Sequence, residues 1–133
     1  MITTTFIIAT VAYIVFNFAF AFVWNLGIFK KQYETLTGET AREKPIIPLG
    51  FLAIVIQALA LSTLFALFYS GTNPITGGLF FGLLLGSYSI VYGAFVVPAK
   101  FNIEPVWQYA VLELAYGVLH FSIAGIIVAY VFS

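Results

Sequence analysis

Cysteine is missing from this chain altogether, and charge is scarce: five Lys or Arg, five acidic residues and one His among 133. Without thiols there can be no disulfide, thiolate metal site or quinone-coupled disulfide exchange. A single histidine cannot build a zinc site, which takes three or four ligands from a set this chain mostly lacks, so no metal and no cofactor are expected. Paired carboxylates, a nucleophile with its base and a glycine-rich nucleotide loop are also missing. The "TGETAREK" run lacks the glycine spacing and the Lys-Ser/Thr pair of a phosphate loop. Nothing resembles a nucleic-acid surface, and a lipid-modifying enzyme would have no visible catalytic constellation.

What is there is apolar. Hydrophobic residues make up 62% of the chain and charged ones 8%, with a mean hydropathy of +1.08. That leaves too little polar surface to cover a soluble core. Four apolar runs stand out, at residues 2–29, 48–70, 77–99 and 105–132. Each exceeds the roughly 20 residues needed to cross a hydrocarbon layer about 30 Å thick. A membrane span must satisfy its own backbone, so the expected fold is a single all-α membrane domain, a four-transmembrane-helix bundle. The first run is expected to be a retained helix, since "MITTTF" has no positive charge and the run is too long for a signal sequence. No lipid-attachment signal is visible.

All five basic residues fall on one side of such a bundle. Lys30, Lys31, Arg42 and Lys44 lie in the loop 30–47, and Lys100 ends the third span. The positive-inside rule makes that side cytoplasmic and predicts an N-out, C-out topology with the "SGTNPITGG" turn outside. Pro48 and Pro105 suit first helical turns, Asn73-Pro74 and Gly77-Gly78 punctuate the turn, and Pro98 is expected to bend only the last turn of its helix. Trp24, Tyr33, Tyr69, Trp107 and Tyr130 read as an interfacial aromatic belt. The loop could meet lipid headgroups through its basic residues, but Glu34, Glu39 and Glu43 nearly cancel that charge, so a solvated connector is expected.

Helical periodicity gathers the remaining polar residues into stripes. Tyr109, Glu113, Tyr116 and His120 share one face of the fourth span, beside the small residues Ala110, Gly117 and Ala124. Thr10, Tyr13, Asn17 and Trp24 align on the first span. Gln57 lies deep in the second, on a face with Gly50 and Ala53. The third carries Tyr88 and Tyr92 on one side and a small-residue groove of Gly78, Gly82, Gly86, Ser89 and Gly93 on another. Such grooves let helix backbones approach closely in lipid. Sequence leaves open whether this one packs inside the protomer or against a second copy.

Glu113 is the lone acid within a span, and such a group costs about 2.5–3.5 kcal/mol at mid-bilayer on insertion scales. At about 1.5 Å per residue, Gln57, Tyr92 and Glu113 all sit roughly 12–14 Å from the basic end, with Asn17, Ser87 and His120 deeper, about 20 Å in. Glu113 is therefore expected to be neutral or to pair through Gln57, Tyr92 or Tyr116. His120 lies about 10.5 Å further along its helix and is expected to be a satisfied interhelical histidine; haem ligation would need a second ligand from elsewhere.

The "VWNLGIFKKQYETL" exit from the first span, the Gly-rich third span and the "W…E…YG" pattern of the fourth resemble small bacterial four-helix membrane proteins classed as domains of unknown function. The resemblance covers most of the chain and implies the same fold and a bacterial inner (plasma) membrane, with no activity and no site residue attached. Two functional classes stay open beside the enzyme reading. One is a module, plausibly a homo-oligomer, that handles a proton, ion or small apolar ligand at a site made of Glu113, His120, Tyr116, Tyr109, Gln57, Tyr92 and Asn17. The other is an accessory or structural subunit of a larger membrane complex, packed through the groove of the third span.

Overall fold

A computed structural model describes residues 2–71 and 73–133, without the side chain of Glu39. Thr72 of the expected turn and the Glu39 charge in the loop thus lie outside the described residues. Among those residues the chain is all-helical, and four helices are long and apolar enough to cross a membrane. They are α1 (Thr4–Ile28), α3 (Ile47–Phe68), α4 (Pro74–Lys100) and α5 (Val106–Phe132). A shorter helix, α2 (Lys30–Thr37), follows α1 directly. The turn before α4 is shorter than expected, because Asn73 caps the helix by accepting from the amides of Ile75 at 3.0 Å and Thr76 at 3.2 Å. Pro74 takes the first helical position, where its missing N–H costs nothing. Thr3 caps α1 in the same way, accepting from the Phe6 amide at 3.1 Å. Pro105 stands at the N-cap of α5 rather than inside its first turn.

The helices do not form a symmetric square. α1 packs on both α3 and α5, α4 packs mainly on α5, and α3 touches α4 and α5 only slightly. The main core lies toward the turn end, where Ala9, Tyr13, Ala58, Leu61, Phe65, Ala124, Val128 and Ala129 meet. Phe65 anchors it, with Tyr69, Phe81 and Phe132 ringed around it at 5.3–6.2 Å between centroids. Every buried residue of α3 lies from Ala58 onward. Its first half is held more loosely, by Phe51 edge-on to Phe18 at 6.1 Å and by Ile54 at the margin of the core.

The small-residue groove is used within the protomer. A Cβ at Gly78 would lie 2.5 Å from the Ile126 Cα, and one at Gly82 would run into the Phe121 carbonyl and sit 3.0 Å from the Gly125 Cα. Gly125 in turn faces the backbone of Gly78 and Gly82. α4 and α5 are thus in backbone contact, which only hydrogen-sized side chains permit.

The groove differs from the expected one beyond Gly86. The buried positions continue in steps of four through Ile90, Ala94 and Pro98, while Ser89 is exposed and Gly93 only half-buried. A step of four overshoots an α-helical turn of 3.6 residues, so the contact would drift off the seam. The wider π-helical segment Tyr92–Val96 absorbs that drift. It also precedes Pro98, whose ring would collide with the Ala94 carbonyl in a regular α-helix. The irregularity thus covers more of the helix than the last turn.

A matched pair of substitutions separates close packing from helix propensity. Gly82→Ala is expected to lower stability by about 1–3 kcal/mol through overpacking against the α5 backbone. Gly50→Ala, with nothing within 4 Å of its Cβ, should be neutral or stabilising. Equal thermal unfolding temperatures for the two in detergent would contradict the seam.

Candidate functional site

The loop 30–47 is more than a solvated connector. Its first part is α2, and Leu36 on that helix is buried in a small core with Ile103 and Tyr109. Phe29, Tyr33 and Leu36 recur at helical spacing in an otherwise polar run, which gives α2 one apolar stripe to lay on α5. The Lys30–Glu34 pair at 3.9 Å lies on its exposed side, where ion pairs contribute little.

This docking carries Tyr33 to the intramembrane acid. The Tyr33 hydroxyl donates to Glu113 Oε1 at 2.5 Å and accepts from Trp24 Nε1 at 3.1 Å. Its ring meets the Tyr109 ring edge-on at 6.5 Å. Burial, then the hydrogen bond and charge of Glu113, push the Tyr33 phenol well above its usual range, so it stays protonated and serves as a donor. The acid of α5 is thus held by a residue of the loop helix and, through that residue, by α1.

The expected partners of Glu113 are engaged elsewhere. Gln57 Oε1 accepts from Tyr13 at 3.1 Å and from Asn17 Nδ2 at 3.1 Å, and Asn17 also donates to the Tyr13 hydroxyl at 3.2 Å. This closed triangle, together with the Thr10–Ser62 hydroxyl pair at 3.0 Å, joins α1 to α3. Tyr92 faces outward and accepts from Lys100 Nζ at 3.1 Å. Equal depth along a bundle does not by itself make residues hydrogen-bond partners. Gln57 is held by Tyr13 and Asn17 of α1, and Tyr92, although it lines the same α4–α5 cavity as Glu113, bonds to Lys100.

Between the triangle and the acid lies His120, boxed in by aromatic rings. Tyr116 and Phe16 stack on it nearly parallel, with centroids at 5.6 and 5.9 Å. Tyr13 and Phe121 meet it edge-on at 5.8 and 4.6 Å. Both ring nitrogens are buried with no hydrogen-bond partner among the described residues. The expected satisfied histidine is not found, because its neighbours offer ring faces and edges and the nearest polar network is closed on itself. Trp24, expected in the aromatic belt, is buried against Phe20, Phe29 and Tyr116. Trp107 and Tyr130 are exposed, as residues of the belt should be.

Of the sequence-predicted residues, Tyr109, Glu113, Tyr116 and His120 thus lie on one inward face, and Tyr13, Asn17 and Gln57 form a neighbouring network. Sequence alone places Tyr33 only at the interface, although the stripe Phe29-Tyr33-Leu36 is the signal that points it inward.

One cavity reaches the acid, another lies under α2 and a third borders the triangle. One of about 400 Å³ runs between α4 and α5, with Glu113, Tyr92, Gly93 and Tyr116 in its walls. Another of about 600 Å³ lies under α2, between Trp24, Leu36 and Trp107, with Lys31 at its edge. The third, about 440 Å³, separates α1 from the first half of α3 and reaches Asn17, Gln57 and Tyr116. Among the described residues no group of three His, Cys, Asp or Glu could hold a metal ion.

Fold and site together define a small multi-pass membrane protein with one acid, half-buried, among the described residues of its spanning helices. No family model, curated protein or solved structure matches the chain.

The aromatic box yields a prediction at His120. Replacing it by Phe removes two unpaired nitrogens and keeps a ring of similar shape. Unpaired buried polar groups cost about 1–3 kcal/mol, so His120→Phe should unfold at the same temperature as wild type or higher. A clear drop in thermal stability would show that the imidazole has polar partners its ring neighbours do not supply.

Proposed function

We propose that this protein exchanges a proton or a small ligand at Glu113 and reports the exchange to its loop helix α2. The observation that carries the reading is the Tyr33–Glu113 hydrogen bond. When Glu113 is a carboxylate, the Tyr33 hydroxyl has a strong acceptor and α2 is held on α5. When Glu113 takes up a proton or its charge is claimed by a ligand, that acceptor weakens and α2 loosens. The Leu36 core and the Trp24 and Tyr109 contacts of Tyr33 then retain the helix. Trp24 and Tyr109 orient Tyr33, while Tyr116 and His120 continue the aromatic face toward the Asn17–Gln57–Tyr13 triangle. In this reading the protein is not an enzyme, and no step is assigned to a cofactor.

The one-sided basic residues support the N-out, C-out orientation, with α2 on the cytoplasmic side. The resemblance to small bacterial four-helix proteins supports an inner membrane. A second copy, or another subunit of a membrane complex, would sit on the first half of α3, where Gly50, Ala53 and Gln57 are exposed. That exposed face of small residues favours the accessory-subunit reading as the alternative. The α4 groove does not, since α5 already fills it.

Carboxyl infrared difference spectra of the protein in lipid vesicles test the exchange between about pH 4 and pH 9. We expect a carboxyl band that responds to pH and is lost in Glu113→Gln. The missing cysteines allow single Ser133→Cys and Thr40→Cys labels to fix the orientation in the same vesicles. No pH-responsive band from Glu113 would overturn the exchange, and Thr40 and Ser133 labels on one side would overturn the topology.

A further inference from the structure

We infer that the cavity between α4 and α5 binds a lipophilic organic cation, with Glu113 as its counter-charge. The inference rests on the reading of Glu113 as a functional carboxyl and names the class of ligand it would exchange for a proton.

The two oxygens of Glu113 are in different situations. Oε1 is taken by Tyr33. Oε2 makes no hydrogen bond among the described residues and faces the backbone of Gly93, where a Cβ would lie 3.3 Å away. The half-buried glycine therefore leaves one carboxylate oxygen open to the cavity. No cation among the described residues is bonded to it. The nearest basic residue along α4, Lys100, is spent on Tyr92, donating to its hydroxyl at 3.1 Å and lying 5.3 Å from its ring centroid. That contact also shows that the Tyr92 ring accepts a cation on its face.

The walls suit the same chemistry. Tyr88, Tyr92, Tyr116 and Phe121 supply ring surface around the open oxygen, and ring faces attract cations most strongly where water is excluded. The volume of about 400 Å³ lies within the usual range of roughly 300–1,000 Å³ for small-molecule sites. Tyr88 is 86% exposed and Tyr92 46% exposed, so the cavity opens sideways, toward the bilayer. A guest that enters from there must be soluble in lipid.

Other occupants fit less well. An acyl chain or a neutral apolar molecule would leave Oε2 and the Tyr88 hydroxyl without partners. Calcium takes six to eight oxygen ligands, and magnesium keeps several of its waters; one carboxylate among rings replaces neither shell. A soft organic cation needs only a counter-charge and ring faces. Because it would claim the oxygen that a proton also claims, the two should compete. The titratable groups around this carboxyl are Tyr33 from α2, Tyr109 and Tyr116 along α5, and Tyr88 and Tyr92 on α4, the last with Lys100; α1 presents Trp24 behind Tyr33.

Calorimetric titration of the protein in lipid nanodiscs with tetraphenylphosphonium tests the site, with empty nanodiscs subtracted. Tetraphenylborate, of the same shape and opposite charge, is the control. We expect saturable phosphonium binding with release of a proton, weakened at least about tenfold in Glu113→Gln and also weakened in Tyr92→Leu, which leaves the carboxyl in place. The borate should show no saturable binding. Phosphonium binding that is absent, unchanged by Glu113→Gln or matched by the borate would overturn the cation site. Proton exchange at Glu113 is read separately from its infrared band, so a silent titration beside a responsive band rejects the ligand class and leaves the exchange standing.

Discussion

One hydrogen bond ties the polar interior of this protein to its surface. The Tyr33 hydroxyl reaches Glu113 at 2.5 Å, and it does so only because α2 folds back onto the bundle directly after α1. An acid at mid-bilayer is costly, and a single phenol is what meets that cost here. The dependence runs both ways. Without the acid α2 would be held by the Leu36 core and the Trp24 and Tyr109 contacts of Tyr33, and without α2 the carboxylate would face rings and lipid with no donor. The Trp24 indole completes the arrangement by fixing Tyr33 from α1.

A second constraint shapes the space around that bond. Because Gly78, Gly82 and Gly125 bring α4 and α5 into backbone contact, those two helices form a tight pair toward the turn end. Toward the basic end the seam is lined by larger residues, Ile90 and Ala94 among them, and the π-helical turn at Tyr92–Val96 turns Tyr92 outward. The cavity beside Glu113 is the result. On the other side α3 buries residues only from Ala58 onward, so the Asn17–Gln57–Tyr13 triangle borders an open cleft. Tight packing at one end and polar clefts at the other are two consequences of where the smallest residues lie.

Much of this was legible in the sequence. The four spans, the inward faces of α1 and α5, and the close approach of α4 follow from hydropathy and from periodicity, both of which are local. What escaped depended on which helices are neighbours. Gln57 and Tyr92 lie at the right depth for Glu113 but bond elsewhere, Gln57 to α1 and Tyr92 to Lys100, and depth arithmetic carries no information about azimuth between helices. Ser89 fell off the seam because the groove follows steps of four through a π turn, which an ideal helical wheel does not anticipate. His120 was expected to find a partner by the general rule that buried polar groups do, whereas rings alone surround it. Tyr33 escaped because a charged run reads as solvated unless its short apolar stripe is weighed separately.

The central claim is that the Tyr33–Glu113 bond holds α2 on the bundle. Amide hydrogen exchange across residues 31–37, wild type against Tyr33→Phe, tests it most directly. That substitution keeps the ring and removes only the hydroxyl, so the Leu36 core is left in place. The account predicts that protection of these amides falls by about tenfold or more, the equivalent of about 1.4 kcal/mol, while the amides of the Gly78–Gly125 seam are unchanged. Equal protection of residues 31–37 in the two proteins would contradict it.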